Sequence, residues 1–164
     1  MFGKLKGASG KREEATVILA PIAGKVIPIS EVPDAVFAEE IVGRGVAIWP
    51  TGNRVVSPVD GKVLQMFETA HAVTLLAEQG AEILIHVGLD TVALKGLHYK
   101  ALKKDAETVK AGDVLMEFDA AKITQAGYQT VTPVVICNAS EYRVFETLSG
   151  REVIEGEEII RLVK

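Results

Sequence analysis

Short apolar runs, each closed by a glycine, a proline or a polar pair, recur along the chain. Thr16-Val17-Ile18-Leu19-Ala20 stops at Pro21, Val46-Ala47-Ile48-Trp49 stops at Pro50, and Val114-Leu115-Met116-Glu117-Phe118 stops at Asp119. Val131 to Cys137 and Val153 to Leu162 follow the same pattern. Runs this short, rich in β-branched residues and bounded by turn formers, predict strands. Pro133 places its strand at a sheet edge or a bulge, because proline has no amide to give a ladder. Helical signals are brief. Pro33 suits the first position of a turn that carries Val36 and Phe37, with Ile41 and Val42 just after. Asp119 caps a short helix through Ala120, Ile123 and Thr124, which Gly127 stops. Many strands and almost no helix predict an all-β domain, a sandwich or a barrel.

One pattern recurs. Pro21-Ile22-Ala23-Gly24-Lys25-Val26 returns 37 residues later as Pro58-Val59-Asp60-Gly61-Lys62-Val63. In each copy a proline ends one strand and a glycine leads into the next, which reads as an internal duplication.

The stretch around His71 and His86 does not fit a purely structural reading. Both histidines lie in apolar runs, and Glu78-Gln79-Gly80 between them is a turn. A hairpin with the four-residue loop Ala77 to Gly80 pairs Leu76 with Ala81, Val73 with Leu84 and His71 with His86. Directly opposed residues have Cβ atoms about 4.5–5.5 Å apart, so the two rings would meet on one face, where they can share one phosphoryl group or one metal ion. A lone histidine in an apolar strand is usually a satisfied core residue; two that meet point to chemistry. An apolar wall keeps an imidazole neutral and nucleophilic, and it shields a phosphoramidate from water. This pattern predicts phosphoryl transfer, with His86 as nucleophile and His71 as its hydrogen-bonding neighbour. Thr69 is placed to orient His71, and the amides from Gly88 to Asp90 to bind the phosphoryl oxygens. His98, near lysines, is expected at the surface.

Composition narrows the setting. The chain has 164 residues, a length suited to one domain, here residues 15–164 behind a polar arm of residues 1–14. A net charge of -4 argues against binding a nucleic-acid backbone and suits a basic protein partner. The single Cys137 excludes an internal disulfide and fits a reducing compartment. It is expected as a small buried strand residue. No apolar run approaches the about 18 residues of a membrane span, and the N-terminus lacks a secretory signal. These features predict a cytoplasmic protein.

The histidine block also resembles a known family. Phe67-Glu68-Thr69-x-His71, Ile85-His86-Val87-Gly88-Leu89-Asp90-Thr91-Val92, Leu94-Lys95-Gly96 and Thr132-Pro133-Val134-Val135-Ile136 are similar to the glucose-type enzyme IIA of the bacterial phosphoenolpyruvate-dependent sugar phosphotransferase system. So are Pro33-Asp34-x-Val36-Phe37-Ala38-Glu39 and Gly52-Asn53. The resemblance runs from about Val17 to Lys164. It implies an antiparallel β-sandwich with a duplicated hybrid motif. It also implies that His86 takes a phosphoryl group on Nε2 from the carrier HPr and gives it to a cysteine of a permease IIB domain. His71 and Thr69 match the supporting pair. Val36, Phe37, Ile41 and Val42 match apolar positions where partners dock, and Phe67, Leu84 and Val92 join that surface. Asp34 and Asp90 match acidic positions that face HPr. The unphosphorylated form would bind regulatory targets as well. No cofactor is required. Some members hold zinc between the two histidines with a partner's ligand, because two histidines leave a tetrahedral site incomplete. One loop departs from the family's usual Lys-Gly-Glu-Gly-Phe: here it is Lys95-Gly96-Leu97-His98-Tyr99. The expected effect is on partner choice and not on the transfer chemistry.

Other readings fit less well. A zinc hydrolase of the same fold needs His-x-His together with His-x-x-x-Asp; His-x-His is absent, so the spacing of His86 and Asp90 stands alone. A biotinyl or lipoyl carrier needs a flanked lysine at a hairpin tip, and Lys25 and Lys62 lack those flanks. A non-catalytic regulatory binding module leaves the histidine pair unexplained.

Overall fold

The computed structural model describes residues 14–164. The predicted arm, apart from Glu14, lies outside the described residues. The strands run in order as β1 (Thr16–Leu19), β2 (Gly24–Pro28), β3 (Arg44–Pro50), β4 (Arg54–Val56), β5 (Gly61–Met66), β6 (Ala72–Ala77) and β7 (Glu82–His86). They continue as β8 (Tyr99–Ala101), β9 (Thr108–Val109), β10 (Val114–Phe118), β11 (Thr132–Ile136), β12 (Val144–Thr147), β13 (Glu152–Val153) and β14 (Glu158–Val163). Two short helices, α1 (Ala35–Ala38) and α2 (Ala120–Gln125), interrupt them. The all-β expectation is met, and the strand pairs are antiparallel.

An eight-stranded sheet has the order β13-β2-β3-β11-β7-β6-β5-β9, and two three-stranded sheets have the orders β1-β14-β12 and β4-β10-β8. Alternation along each strand sends Val26, Ile48, Val73, Leu75, Ile83, Ile85, Val134 and Ile136 of the large sheet into one core. Ile18, Ile160 and Leu162 enter that core from one small sheet, and Val55, Leu115 and Met116 from the other. This makes a sandwich whose filling is aliphatic. The opposite face of the large sheet carries Ile27, Ala47, Val135 and Leu84. Residues 29–42 fold over part of it, burying Ile29, Val32 and Phe37. His86 ends β7 on this second face.

The duplication is real and deeper than the sequence pattern suggested. Gly24 opens β2 and Gly61 opens β5. A Cβ on either would lie 2.1 Å from a carbonyl oxygen of the adjoining strand, that of Trp49 or Leu76. Only glycine lets these strands approach so closely. The copies also bind each other: the Leu19 amide donates to the Pro58 carbonyl, and the Val56 amide to the Pro21 carbonyl. A second repeat accompanies the first. Val26 and Val63 donate to Arg151 and Glu107, while Gly156 and Gly112 donate to Ala20 and Ser57. The stretch 106–118 thus plays for β4 and β5 the part that 150–162 plays for β1 and β2. Sequence alone concealed this, because the copies share little beyond Val109 with Val153 and Gly112 with Gly156.

Four local expectations are corrected. Pro33 is not the first helical residue; Asp34 caps α1, its side chain accepting from the Val36 amide at 3.0 Å. Pro133 lies in a central strand between β3 and β7, not at an edge. The missing amide is tolerated because pairing with β7 begins only at Val134. Cys137 is exposed, because β11 ends one residue before it. The hairpin register is shifted by one residue: Ala72 faces His86, Val73 faces Ile85 and Leu76 faces Glu82. The Ala77 amide donates to the Ala81 carbonyl, so the loop is three residues, Glu78-Gln79-Gly80. The Asp119 cap of α2 and the stop at Gly127 (φ +97°) are as expected.

Candidate functional site

The shifted register should have put the two imidazoles on opposite faces, because pleating alternates side chains. They meet nevertheless, with ring centroids 4.9 Å apart and planes at 84°. His71 lies just before β6, outside the pleated ladder. Residues 67–70 form a tight turn in which the Ala70 amide donates to the Phe67 carbonyl and Ala70 takes φ +57°. A left-handed residue breaks alternation, so the strand rule does not extend to His71. The backbone there stays tied to β7, the Val87 amide donating to the His71 carbonyl at 2.7 Å.

Each ring has one nitrogen anchored. His86 Nδ1–H donates to the Gly88 carbonyl at 2.7 Å. A carbonyl only accepts, so neutral His86 carries its proton on Nδ1 and a free lone pair on Nε2. His71 Nδ1 is hydrogen-bonded to Thr69 Oγ1 at 2.5 Å. Aromatic rings enclose the pair. Phe37 stands 5.1 Å from His86, and Phe67 stands edge-on 5.5 Å from His71. His71 is only 3% exposed. Burial, with the neighbouring His86 adding to it, lowers the His71 pKa to about 4. Burial also lowers that of His86, against the opposing pull of the Gly88 carbonyl, Asp34 and Asp90. Two neutral imidazoles side by side are suited to accepting an electrophile at one nitrogen.

The remaining expected residues divide. Phe37 and Leu84, with Val42, pack in the cluster on the outer face. Phe37 is 5% exposed, whereas Val36 at 44% and Ile41 at 67% face solvent, as does Val92. The segment is therefore both a lid and an apolar rim. Asp34 and Asp90 lie close enough to act on His86. Gly88 has a different part from the one expected: its amide donates to Val131 and the Leu89 amide to Gln129. Those two donors are occupied, and Gly88 instead contributes its carbonyl. The Asp90 amide has no acceptor among the described residues. Sequence reasoning gave no role to Thr91 and Tyr99, whose hydroxyls both donate to the Val87 carbonyl at 2.8 Å. Tyr99 stood out only as part of the departing loop. His98 lies outside the ring cluster.

The donor set does not complete a metal site. Among the described residues no third His, Cys, Asp or Glu joins the pair in a group able to hold an ion. His71 and His86 offer two nitrogen ligands, and a tetrahedral zinc ion needs further ones from elsewhere. No helix among the described residues is long and apolar enough to cross a membrane.

Comparisons with known proteins identify the family and the fold. A profile described as "phosphoenolpyruvate-dependent sugar phosphotransferase system, EIIA 1" matches residues 16–142. The chain is 44% identical to a "PTS system glucose-specific EIIA component" of Oceanobacillus iheyensis, over 96% of this chain and 95% of that one. It is 40% identical to the protein of the same description from Haemophilus influenzae, over 100% and 98%. It also matches 24% of a longer "PTS system beta-glucoside-specific EIIBCA component" of Dickeya chrysanthemi, at 40% identity over 95% of this chain. Among solved structures, glucose permease IIA from Mycoplasma capricolum superposes with a TM-score of 0.85 at 33% identity, covering 90% of this chain and 96% of that one. With most of its length inside that profile and some two-fifths of its residues shared with relatives of matching length, the chain belongs to the glucose-type enzyme IIA family, the phosphoryl carriers of the phosphoenolpyruvate-dependent sugar phosphotransferase system.

Proposed function

We propose that His86 is the phosphoryl-carrying residue and that Nε2 is its reacting atom. The observation that carries this reading is the bond from His86 Nδ1–H to the Gly88 carbonyl, which leaves the Nε2 lone pair free beside His71. The donor is the phosphohistidine of HPr. His86 Nε2 attacks phosphorus, the donor P–N bond breaks, and its electron pair returns to the donor imidazole. The His86 ring then carries a positive charge, shared through Nδ1–H with the Gly88 carbonyl. A cysteine thiolate of a IIB domain next attacks phosphorus, and the Nε2–P bond breaks to regenerate the neutral ring.

The Thr69 hydroxyl donates to His71 Nδ1 in this scheme, placing the His71 proton on Nε2. From there it donates to a phosphoryl oxygen and stabilises the transferring group. The unoccupied Asp90 amide is a second donor. The apolar rim of Val36, Ile41 and Val92, continued inward by Phe37, Val42, Phe67 and Leu84, receives the partner and excludes water. Asp34 and Asp90 attract a basic partner surface. The donor and acceptor domains place the protein in the cytoplasm. Zinc bound by His71 and His86 would need a partner's ligand and has no part in transfer. The sugar is chosen by the IIB domain, in keeping with relatives described both as glucose-specific and as part of a β-glucoside-specific protein.

The test is acid-labile labelling with phosphoenolpyruvate, enzyme I and HPr. Wild type takes up phosphate and His86→Ala takes up none; equal labelling of the two rejects the assignment. His71→Gln is expected to accept phosphate but to pass it to a IIB domain at least about tenfold more slowly, the loss of one transition-state hydrogen bond. Onward transfer at the wild-type rate would remove His71 from the mechanism.

A further inference from the structure

The loop 95–99 departs from the family's usual pattern, and at its end Tyr99 brings a hydroxyl where that pattern has a phenylalanine ring. Tyr99 opens β8, with its ring 6.4 Å from that of Phe118. Its hydroxyl donates to the Val87 carbonyl at 2.8 Å, and Thr91 Oγ1 donates to the same oxygen at 2.8 Å. Val87 and Thr91 are completely buried. A carbonyl oxygen has two lone pairs, and here both are filled.

That carbonyl belongs to the peptide unit joining Val87 to Gly88. The other edge of the same unit, the Gly88 amide, donates to the Val131 carbonyl at 3.2 Å. Because a peptide unit is planar, three bonds fix its orientation. The next unit along carries the Gly88 carbonyl that holds His86 Nδ1–H. Thr91 also walls in Gly88: a Cβ there would come within 2.6 Å of Thr91 Cγ2, at a φ of +88°. The path from the Tyr99 hydroxyl to the reacting ring is thus short and rigid.

We propose that Tyr99 is a positioning residue for phosphoryl transfer, which with Thr91 pins the Val87 carbonyl and so keeps the Gly88 carbonyl aimed at His86 Nδ1. This rests on the reading of His86 as carrier. The chemistry needs that aim. Once Nε2 is bonded to phosphorus, the ring leaves well only while Nδ1 keeps its proton, and the Gly88 carbonyl is the group that holds it. The departing loop therefore reaches the transfer step itself, beyond the effect on partner choice expected from sequence.

Tyr99→Phe removes the hydroxyl and leaves the ring packing. In the unphosphorylated full chain, exchange of the His86 Nδ1 proton with water, read by NMR, is expected to quicken several-fold. Transfer from the phosphorylated protein to a IIB domain is expected to slow about 3- to 10-fold, the range set by one lost hydrogen bond. Ile160→Val, a core change away from the site, controls for general loosening and leaves both quantities at wild-type values. Unchanged proton exchange in Tyr99→Phe overturns the proposal, and so does an equal effect in Ile160→Val. If wild type accepts no phosphoryl group the carrier reading fails, and the exchange measurement alone then decides the clamp.

Discussion

At His71 the two influences on the ring act in one direction. Burial and the neighbouring imidazole both oppose its charged form, and its pKa falls from 6.5 to about 4. His86 is lowered by burial too, while the Gly88 carbonyl and two carboxylates oppose that effect. The consequence for stability has a definite sign. Between pH 6.5 and 4 the unfolded chain binds a proton at His71 that the folded chain refuses, so acid favours unfolding. Stability from this source is fully present above pH 6.5 and is lost as pH falls towards 4. Urea unfolding of wild type across that window should show a slope approaching one proton from His71, with His86 adding in the same direction. In His71→Gln the His71 part of the slope should vanish; a slope equal to wild type would mean that the ring is not shielded as described. The identities of the paired residues were legible in the sequence, because histidine inside an apolar run is conspicuous. The use of Gly88 as acceptor was not, because the Gly88 amide is taken by Val131, a residue 43 positions away.

At the level of elements, the hairpin shows where periodic reasoning stops. Its strands are where the pattern places them, yet the register is one residue out because Ala77 belongs to the ladder and not to the loop. The rings still meet, since the left-handed Ala70 frees His71 from the alternation that governs β6. Two compensating departures thus reproduced the expected contact. The proline–glycine repeat was legible because its glycines do a demanding job. Gly61→Ala would drive a Cβ to 2.1 Å from the Leu76 carbonyl oxygen, forcing β5 away from β6. A loss of at least ~2 kcal/mol is expected in urea unfolding. Gly52→Ala, with nothing within 4 Å of the new atom, should stay within about 0.5 kcal/mol of wild type. Similar values for the two would show that the close approach is relieved at little cost. The companion repeat at 106–118 and 150–162 was hidden, because backbone bonds carry it and side chains hardly mark it.

Across the molecule, the halves are interlocked. Leu19 bonds to Pro58 and Val56 to Pro21, so each copy completes the other's strands. The large sheet is also assembled from distant parts of the chain, with β11 seated between β3 and β7. Such a structure should open as one unit, because each half loses hydrogen bonds when the other leaves. Native-state hydrogen exchange should give the Leu19 and Val56 amides the same opening free energy, within about 0.5 kcal/mol, and one close to that of global unfolding. A clearly lower value for one of them would reveal a half that opens alone. The ring pair lies at the end of β7, next to the central strand β11.

The place of β14 joins distant parts of the chain. This strand, Glu158–Val163, is the middle strand of its sheet, flanked by β1 from the start of the fold and by β12. Without it β1 loses the strand it pairs with, and Ile160 and Leu162 are missing from the core that also holds Ile83 and Ile85. A protease cut ahead of Glu158 would thus leave both histidines in the chain and still loosen the strand that ends in His86, because Ile83 and Ile85 would lose part of their packing.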